Sequence, residues 1–114
     1  MAIPHASPGD LIDVRPLGAA LATTRSHALF KSPQLEVIRL VLRAGEQLPP
    51  HEVAGEITLQ CLEGRVAFSC AAGPRELTAG QMIHSGPHEI HGVRAVEDAS
   101  LLLTIVLEQS TAGH

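Results

Sequence analysis

Aromatic residues are almost absent from this chain of 114 residues, which has no tryptophan, no tyrosine and only two phenylalanines, Phe30 and Phe68. Proteins that bind sugars or single-stranded nucleic acid by stacking need several such rings. Basic residues are also few, since eight lysines and arginines stand against twelve acidic residues and give a net charge of −4. Without a cluster of basic side chains, we expect no nucleic-acid partner.

Long apolar runs are missing as well, which excludes a membrane-spanning helix. The longest run, near residues 101–107, has the length of a strand, whereas a spanning helix needs roughly 18 residues. The N-terminus lacks the basic segment followed by an apolar run that marks a secretory signal. Two cysteines, Cys61 and Cys70, are too few for a disulfide framework. We expect buried, reduced thiols in a cytoplasmic protein without a membrane partner.

Turn residues recur about every 8–12 residues, a spacing typical of a sandwich or barrel of short strands. The length allows one domain with a single core. We divide the chain into an irregular N-terminal arm over 1–34, with strands that cover the barrel or a dimer interface, a β-barrel over 35–108, and a flexible tail over 109–114. The predicted strands are Leu35–Arg43, Ile57–Leu62, Arg65–Cys70, Arg75–Leu77, Gln81–His84, His91–Val96 and Leu101–Glu108.

The strongest local signal is the dipeptide Glu63-Gly64, which predicts a hairpin between the strands on either side of it. Each of these strands alternates apolar and polar residues, so one face of the hairpin is apolar and the other polar. The predicted opposite pairs on the apolar face are Ile57 with Cys70, Leu59 with Phe68, and Cys61 with Val66.

Two strands, Leu35–Arg43 and the last one, are apolar on both faces. A strand buried on both sides needs a second cover besides the barrel interior. A partner subunit would supply that cover, and we therefore predict a homodimer. The alternative is that the N-terminal third of the chain folds over the outer face.

Two segments combine histidines with regularly spaced glycines. The first is Gly45-x5-His51-x-Val53-x3-Ile57-x6-Gly64, and the second is Gly80-x5-Gly86-x-His88-x2-His91-x3-Ala95. Both resemble the motifs of the small single-domain cupins, also called RmlC-like cupins, over roughly Leu35 to Leu107. The resemblance implies an all-β fold, the antiparallel double-stranded β-helix or jelly-roll barrel.

Metal-binding members of the family hold the metal with three histidines and a glutamate that point into the barrel. Here Val53 and Ile57 replace the second histidine and the glutamate, so the resemblance implies a degenerate metal motif with His51 and His91 as the remaining ligands. We expect the two imidazoles to face each other across the barrel mouth. Two further candidates are Glu56, if a bulge at residues 54–55 turns it inward, and His88. The cofactor is one divalent transition metal (Fe, Mn, Ni or Zn) or none, since two imidazoles bind weakly.

Two functions follow from this pattern. The preferred one is binding of a small organic ligand in a pocket lined by Val53, Ile57, Leu59, Phe68 and Cys70, with two imidazoles near one end. The alternative is a metal-dependent cupin enzyme, a dioxygenase, isomerase or lyase acting on a small organic acid or carbonyl compound. The ligand count favours the first function, and no catalytic residue is assigned.

Overall fold

The structure, a computed structural model, describes residues 5–107. Glu108 and the predicted tail over 109–114 lie outside the described residues. One 3-10 helix, Gly18–Thr23, precedes the strands. In the described part of the chain the strands are β1 His27–Lys31, β2 Leu35–Leu42, β3 Gln47–Glu52, β4 Ile57–Glu63, β5 Arg65–Cys70, β6 Gly73–Thr78, β7 Met82–Ser85, β8 Ile90–Ala95 and β9 Ala99–Val106. None of the helical residues in 5–107 forms a segment that could cross a membrane.

The strands form two antiparallel sheets that pack face to face. One sheet has the order β1-β2-β9-β4-β7 and the other β3-β8-β5-β6. Alternate residues of each strand point between the sheets and form the core, in which Leu59, Val66 and Phe68 are almost completely buried. Sequence neighbours lie in different sheets at several points, which is the jelly-roll arrangement. The predicted all-β jelly-roll fold is confirmed.

The predicted hairpin around Glu63-Gly64 is wrong, because β4 and β5 belong to different sheets. β4 pairs with β7 and β9, whereas β5 pairs with β6 and β8. Gly64 has a φ of +84° and lies against the start of β9, where an added Cβ would be 2.1 Å from the carbonyl oxygen of Asp98. At this contact the chain passes from one sheet to the other. The predicted opposite pairs are therefore not strand partners, although Ile57, Leu59, Cys61, Val66 and Phe68 are all buried.

Two strands without assigned bounds in the sequence analysis, β1 and β3, lie at sheet edges. β3 contains Pro49 and Pro50, which have no N–H to donate to a neighbouring strand. An edge position tolerates this loss, because one side of the strand needs no partner. β1 lies within the N-terminal arm and pairs with β2.

The N-terminal arm covers part of the outer face of β2. Arg39 points away from the core, yet only 3% of its surface is exposed. Its guanidinium donates to the backbone carbonyls of Arg15 at 2.9 Å and Asp13 at 3.0 Å. The Glu63 carboxylate accepts from the backbone N–H groups of Leu17 and Gly18. The N-terminal arm thus covers the outer face of β2 near Arg39, as the alternative to a partner subunit predicted. The homodimer stays a prediction.

Candidate functional site

A cavity of about 80 Å³ lies between the two sheets. A cavity needs roughly 10–15 Å³ to hold one water molecule, so this one has space for several water molecules or for a small organic molecule. Two of the lining residues, His51 and His91, have polar side chains, and none carries a permanent charge. The lining residues are Leu40, Leu48, His51, Val53, Ile57, Leu59, Phe68, His91, Gly92, Val93, Leu103 and Ile105.

His51 and His91 are direct partners on the neighbouring strands β3 and β8. Their ring centroids are 5.0 Å apart, and the ring planes meet at 61°. The two imidazoles therefore lie side by side in one sheet. The expectation that they face each other across the barrel mouth is wrong, because β3 and β8 are hydrogen-bonded neighbours and not opposite walls.

A β-bulge in β3 turns His51 towards the cavity. The regular strand pairs on either side of the bulge are Leu48 with Val93 and His51 with His91. Between these pairs, β3 has two residues, Pro49 and Pro50, whereas β8 has one, Gly92. The additional residue shifts the alternation by one position, so that Leu48 and His51 both line the cavity. The prolines have no N–H that the bulge would leave unpaired.

Gly92 makes the bulge sterically feasible. An added Cβ at this position would lie 3.0 Å from the backbone nitrogen of Pro50 and 3.2 Å from the carbonyl oxygen of Leu48. The sequence feature that could have indicated the bulge is the pair Pro49-Pro50, because neither residue can donate a backbone hydrogen bond to a neighbouring strand. The bulge and Gly92 are the functional positions that sequence reasoning missed.

The hydrogen bonding of His51 defines which of its nitrogens is available. Nδ1 lies 3.0 Å from the carbonyl oxygen of Pro49. A carbonyl oxygen only accepts, so Nδ1 carries the proton and Nε2 of the neutral ring has a free lone pair. The side chain itself is exposed. His51 thus offers the cavity a hydrogen-bond acceptor close to solvent.

His91 is the buried member of the pair, with 8% of its surface exposed. Its ring stacks on Phe68 with centroids 5.8 Å apart and an angle of 15° between the planes. Burial lowers the pKa of His91, and the nearby His51 lowers it further, while Glu89 opposes both effects. His91 is therefore a neutral imidazole at neutral pH. Among the described residues its buried Nδ1 forms no well-aligned hydrogen bond, although the backbone of Glu89 lies close enough to favour the protonated ring.

Solved structures match the fold over nearly the whole chain. An RmlC-like cupin protein from Desulfovibrio desulfuricans is 26% identical, with a TM-score of 0.66 over 90% of this chain and 97% of that chain. A cupin superfamily protein from Desulfitobacterium hafniense has a TM-score of 0.74 at 18% identity, over 90% of this chain and 100% of that chain. The protein has a cupin fold.

A conserved protein of unknown function from Streptococcus pyogenes is similar to this cupin-fold chain as well. Its TM-score is 0.74 at 19% identity, over 96% of this chain and 97% of that chain. No protein-family model matches the sequence, and no curated protein matches it either. The similarity therefore establishes the cupin fold, and the site has to be interpreted from its own residues.

Four of the five residues predicted to line the pocket of this cupin fold, Val53, Ile57, Leu59 and Phe68, lie in the cavity wall. The fifth, Cys70, lies outside the set of lining residues. Its half-buried thiol donates to the carbonyl oxygen of Gly73 at 3.2 Å. The reason is the sheet assignment: Cys70 ends β5 at the turn into β6, and is not opposite Ile57.

The two additional metal-ligand candidates, Glu56 and His88, do not line the cavity and instead form exposed pairs with other side chains. Glu56 accepts from Nε2 of His84 at 2.8 Å, and Glu52 accepts from Nδ1 of His88 at 2.9 Å. Both pairs join the end of β3 and the residues after it to β7 and the residues after it. The proposed inward rotation of Glu56 does not occur.

The cavity wall has too few metal-ligating side chains to hold a metal ion tightly. Metal sites in proteins usually have three or more protein ligands. In the described part of the chain, no group of three or more His, Cys, Asp or Glu side chains could hold one. The cavity wall offers His51 and His91, and the neighbouring positions carry the aliphatic side chains of Val53 and Ile57.

Proposed function

We propose that the protein binds a small organic molecule in the cavity between its two sheets. The observation that carries this proposal is the composition of the wall, in which two adjacent imidazoles are the polar side chains and the remaining residues are apolar. Small-molecule sites typically combine an apolar lining with a few polar groups that orient the ligand. Here the orienting groups are His51 and His91.

The energetic support comes from the apolar surface. Burial of apolar ligand surface stabilises a complex by roughly 25 cal/mol per Å², and ten of the twelve lining residues contribute carbon surface or backbone. His51 is exposed and lies next to the buried His91, so the two imidazoles extend from the solvent to the interior of the cavity. A ligand would enter past His51 and pack on Leu59, Ile105 and Phe68.

Toluene is a suitable first probe, because it tests the apolar cavity without a polar group. In an NMR titration we expect toluene to shift the amide signals of cavity residues such as Val53, Leu59 and His91. The variant Ile105→Phe fills the cavity and should abolish these shifts. Leu102→Phe is the matched control, since Leu102 lies on the same strand but outside the lining set. Equal shifts in both variants, or none in the unmodified protein, would contradict binding in the cavity.

One observation favours a metal-dependent enzyme as the second candidate. His51 donates Nδ1–H to the carbonyl of Pro49, and histidines that bind metals commonly anchor their second nitrogen in this way. Because the donor set contains two imidazoles only, we assign no reaction step to a metal.

Elemental mass spectrometry decides between the two candidates. The protein would be purified without an affinity tag or chelator, next to the double variant His51→Ala/His91→Ala. Near-stoichiometric Fe, Mn, Ni or Zn that is lost in the variant would favour the enzyme. Metal far below stoichiometry and equal in both proteins would contradict it.

A further inference from the structure

The chemical class of the ligand follows from the polar atoms that the cavity offers. We infer that the ligand is a small uncharged alcohol or phenol, whose hydroxyl group donates a hydrogen bond to Nε2 of His51 and whose apolar body packs in the cavity. This inference rests on the proposed function. It names the chemistry of the ligand, which the apolar wall alone leaves open.

The first step is the fixed orientation of the His51 ring. Nδ1–H is engaged by the carbonyl oxygen of Pro49 at 3.0 Å, so the neutral ring presents an acceptor at Nε2. The bulge at Pro49-Pro50 holds both the carbonyl and the histidine, because Pro49 lies within it. The ligand must therefore supply a donor.

The second step disfavours an anionic ligand. No lysine or arginine lines the cavity, so a carboxylate would enter an apolar space without a permanent positive partner. Removal of a charge from water is costly unless it is paired. A carboxylate also lacks the donor that Nε2 of His51 requires.

The third step concerns the shape of the apolar part. His91 and Phe68 stack nearly parallel, with centroids 5.8 Å apart, and the Phe68 side chain has no atom that forms hydrogen bonds. Nδ1 of His91 is buried, so this ring can contact a ligand only through Nε2 and its carbon edge. Beyond the hydroxyl group, an occupant thus meets side chains such as Leu103 and Ile57. An apolar body with a single hydroxyl group satisfies this arrangement.

Phenol, toluene and benzoate test the inference, because they share a ring and differ in one group. We would measure their affinities at pH 7.5 by NMR titration of the full chain. A net gain of about 1 kcal/mol from one neutral hydrogen bond corresponds to about fivefold in affinity. We expect phenol to bind about fivefold more tightly than toluene, and benzoate to bind more weakly than both.

Three variants locate the hydrogen bond. His51→Phe replaces the imidazole by an apolar ring and should reduce the affinity for phenol to that for toluene. His51→Gln retains an acceptor and should keep part of the preference. His84→Phe is the matched control, because His84 is exposed, pairs with Glu56 and does not line the cavity, and it should leave the preference unchanged.

The outcomes separate this inference from the proposed function. Equal affinity for phenol and toluene, or preference for benzoate, would overturn the hydroxyl inference while toluene binding still supports the cavity as a ligand site. Absence of binding by all three probes would overturn both. A phenol preference that survives His51→Phe would also overturn the inference, since His51 would then not be the acceptor.

Discussion

His51 and His91 form a cross-strand pair with ring centroids 5.0 Å apart, and a bulge one residue earlier in β3 makes this pairing possible. If β3 had no bulge at Pro49-Pro50, regular alternation from Leu48 would turn His51 to the outer face. Gly92 lies opposite the bulge and accommodates its backbone. The geometry of the site thus depends on residues that have no polar side chain.

Two glycines beside the site should differ strongly in their tolerance of alanine. An added Cβ at Gly55 would lie 1.7 Å from the carbonyl oxygen of Val106, whereas at Gly92 the nearest atom is 3.0 Å away. We expect Gly55→Ala to lower the free energy of unfolding by about 3 kcal/mol or more, and Gly92→Ala by about 1–2 kcal/mol. Urea denaturation measures both.

Gly45→Ala serves as a control for these substitutions. Gly45 has a φ of +89° but nothing within 4 Å of the added atom, so only the backbone conformation costs about 1 kcal/mol. If Gly55→Ala proved no more damaging than Gly45→Ala, the close approach to Val106 would not be what requires a glycine.

The stability of the protein should fall in mild acid because of His91. Its pKa in the folded state lies below the ordinary value of about 6.5. At a pH between these two pKa values, His91 is protonated in the unfolded chain and neutral in the folded chain. The free energy of unfolding therefore decreases as the pH falls below about 6.5, and it stops decreasing below the folded pKa. Above that range both states are neutral and His91 contributes no pH dependence.

The variant His91→Phe isolates this effect, because it keeps a ring against Phe68 and does not titrate. Urea denaturation of both proteins at pH 7.5, 6.5 and 5.5 gives their free energies of unfolding. We expect the variant to gain stability relative to the unmodified protein as the pH decreases. A constant difference across this range would show that burial does not disfavour the charged form of His91.

His88 is held in a left-handed backbone conformation, with a φ of +61°. Its N–H donates to the carbonyl oxygen of Val53 at 2.9 Å, and its ring pairs with Glu52. His88→Ala keeps the unfavourable conformation and loses the pair, whereas His88→Gly removes the conformational cost. We expect the glycine variant to be more stable than the alanine variant by about 1 kcal/mol, measured by thermal unfolding. The reverse order would contradict the conformational argument.

The homodimer prediction concerns the outer face of the five-stranded sheet, where Met82 is 63% and Val106 41% exposed. If this face forms the interface, Met82→Lys/Val106→Lys should convert a dimer into a monomer, because two charges would be buried. Light scattering after size-exclusion chromatography measures the mass. Ile90→Lys is the control, since Ile90 is equally exposed at 61% but lies in the other sheet. A monomeric unmodified protein would refute the prediction.

Sequence patterns predicted seven strands with boundaries close to those observed, and β5, Arg65–Cys70, agrees at both ends. They missed β3, because Pro49-Pro50 breaks the usual strand composition and only an edge position allows it. They also misassigned Glu63-Gly64 as a hairpin turn. A glycine with positive φ fits a hairpin and a connection between sheets equally well, and the local sequence does not distinguish them.

The alternation of apolar and polar residues was sufficient to predict the inward face of β4. Alternation along a strand is a property of the extended backbone, so Ile57, Leu59 and Cys61 share a face whichever strand lies next to them. The tertiary structure established which strands are neighbours, since strand pairing depends on contacts between distant segments, such as that of Gly64 with Asp98. It also decided that His51 lies beside His91, because the bulge that turns His51 inward forms only when β3 packs against Gly92.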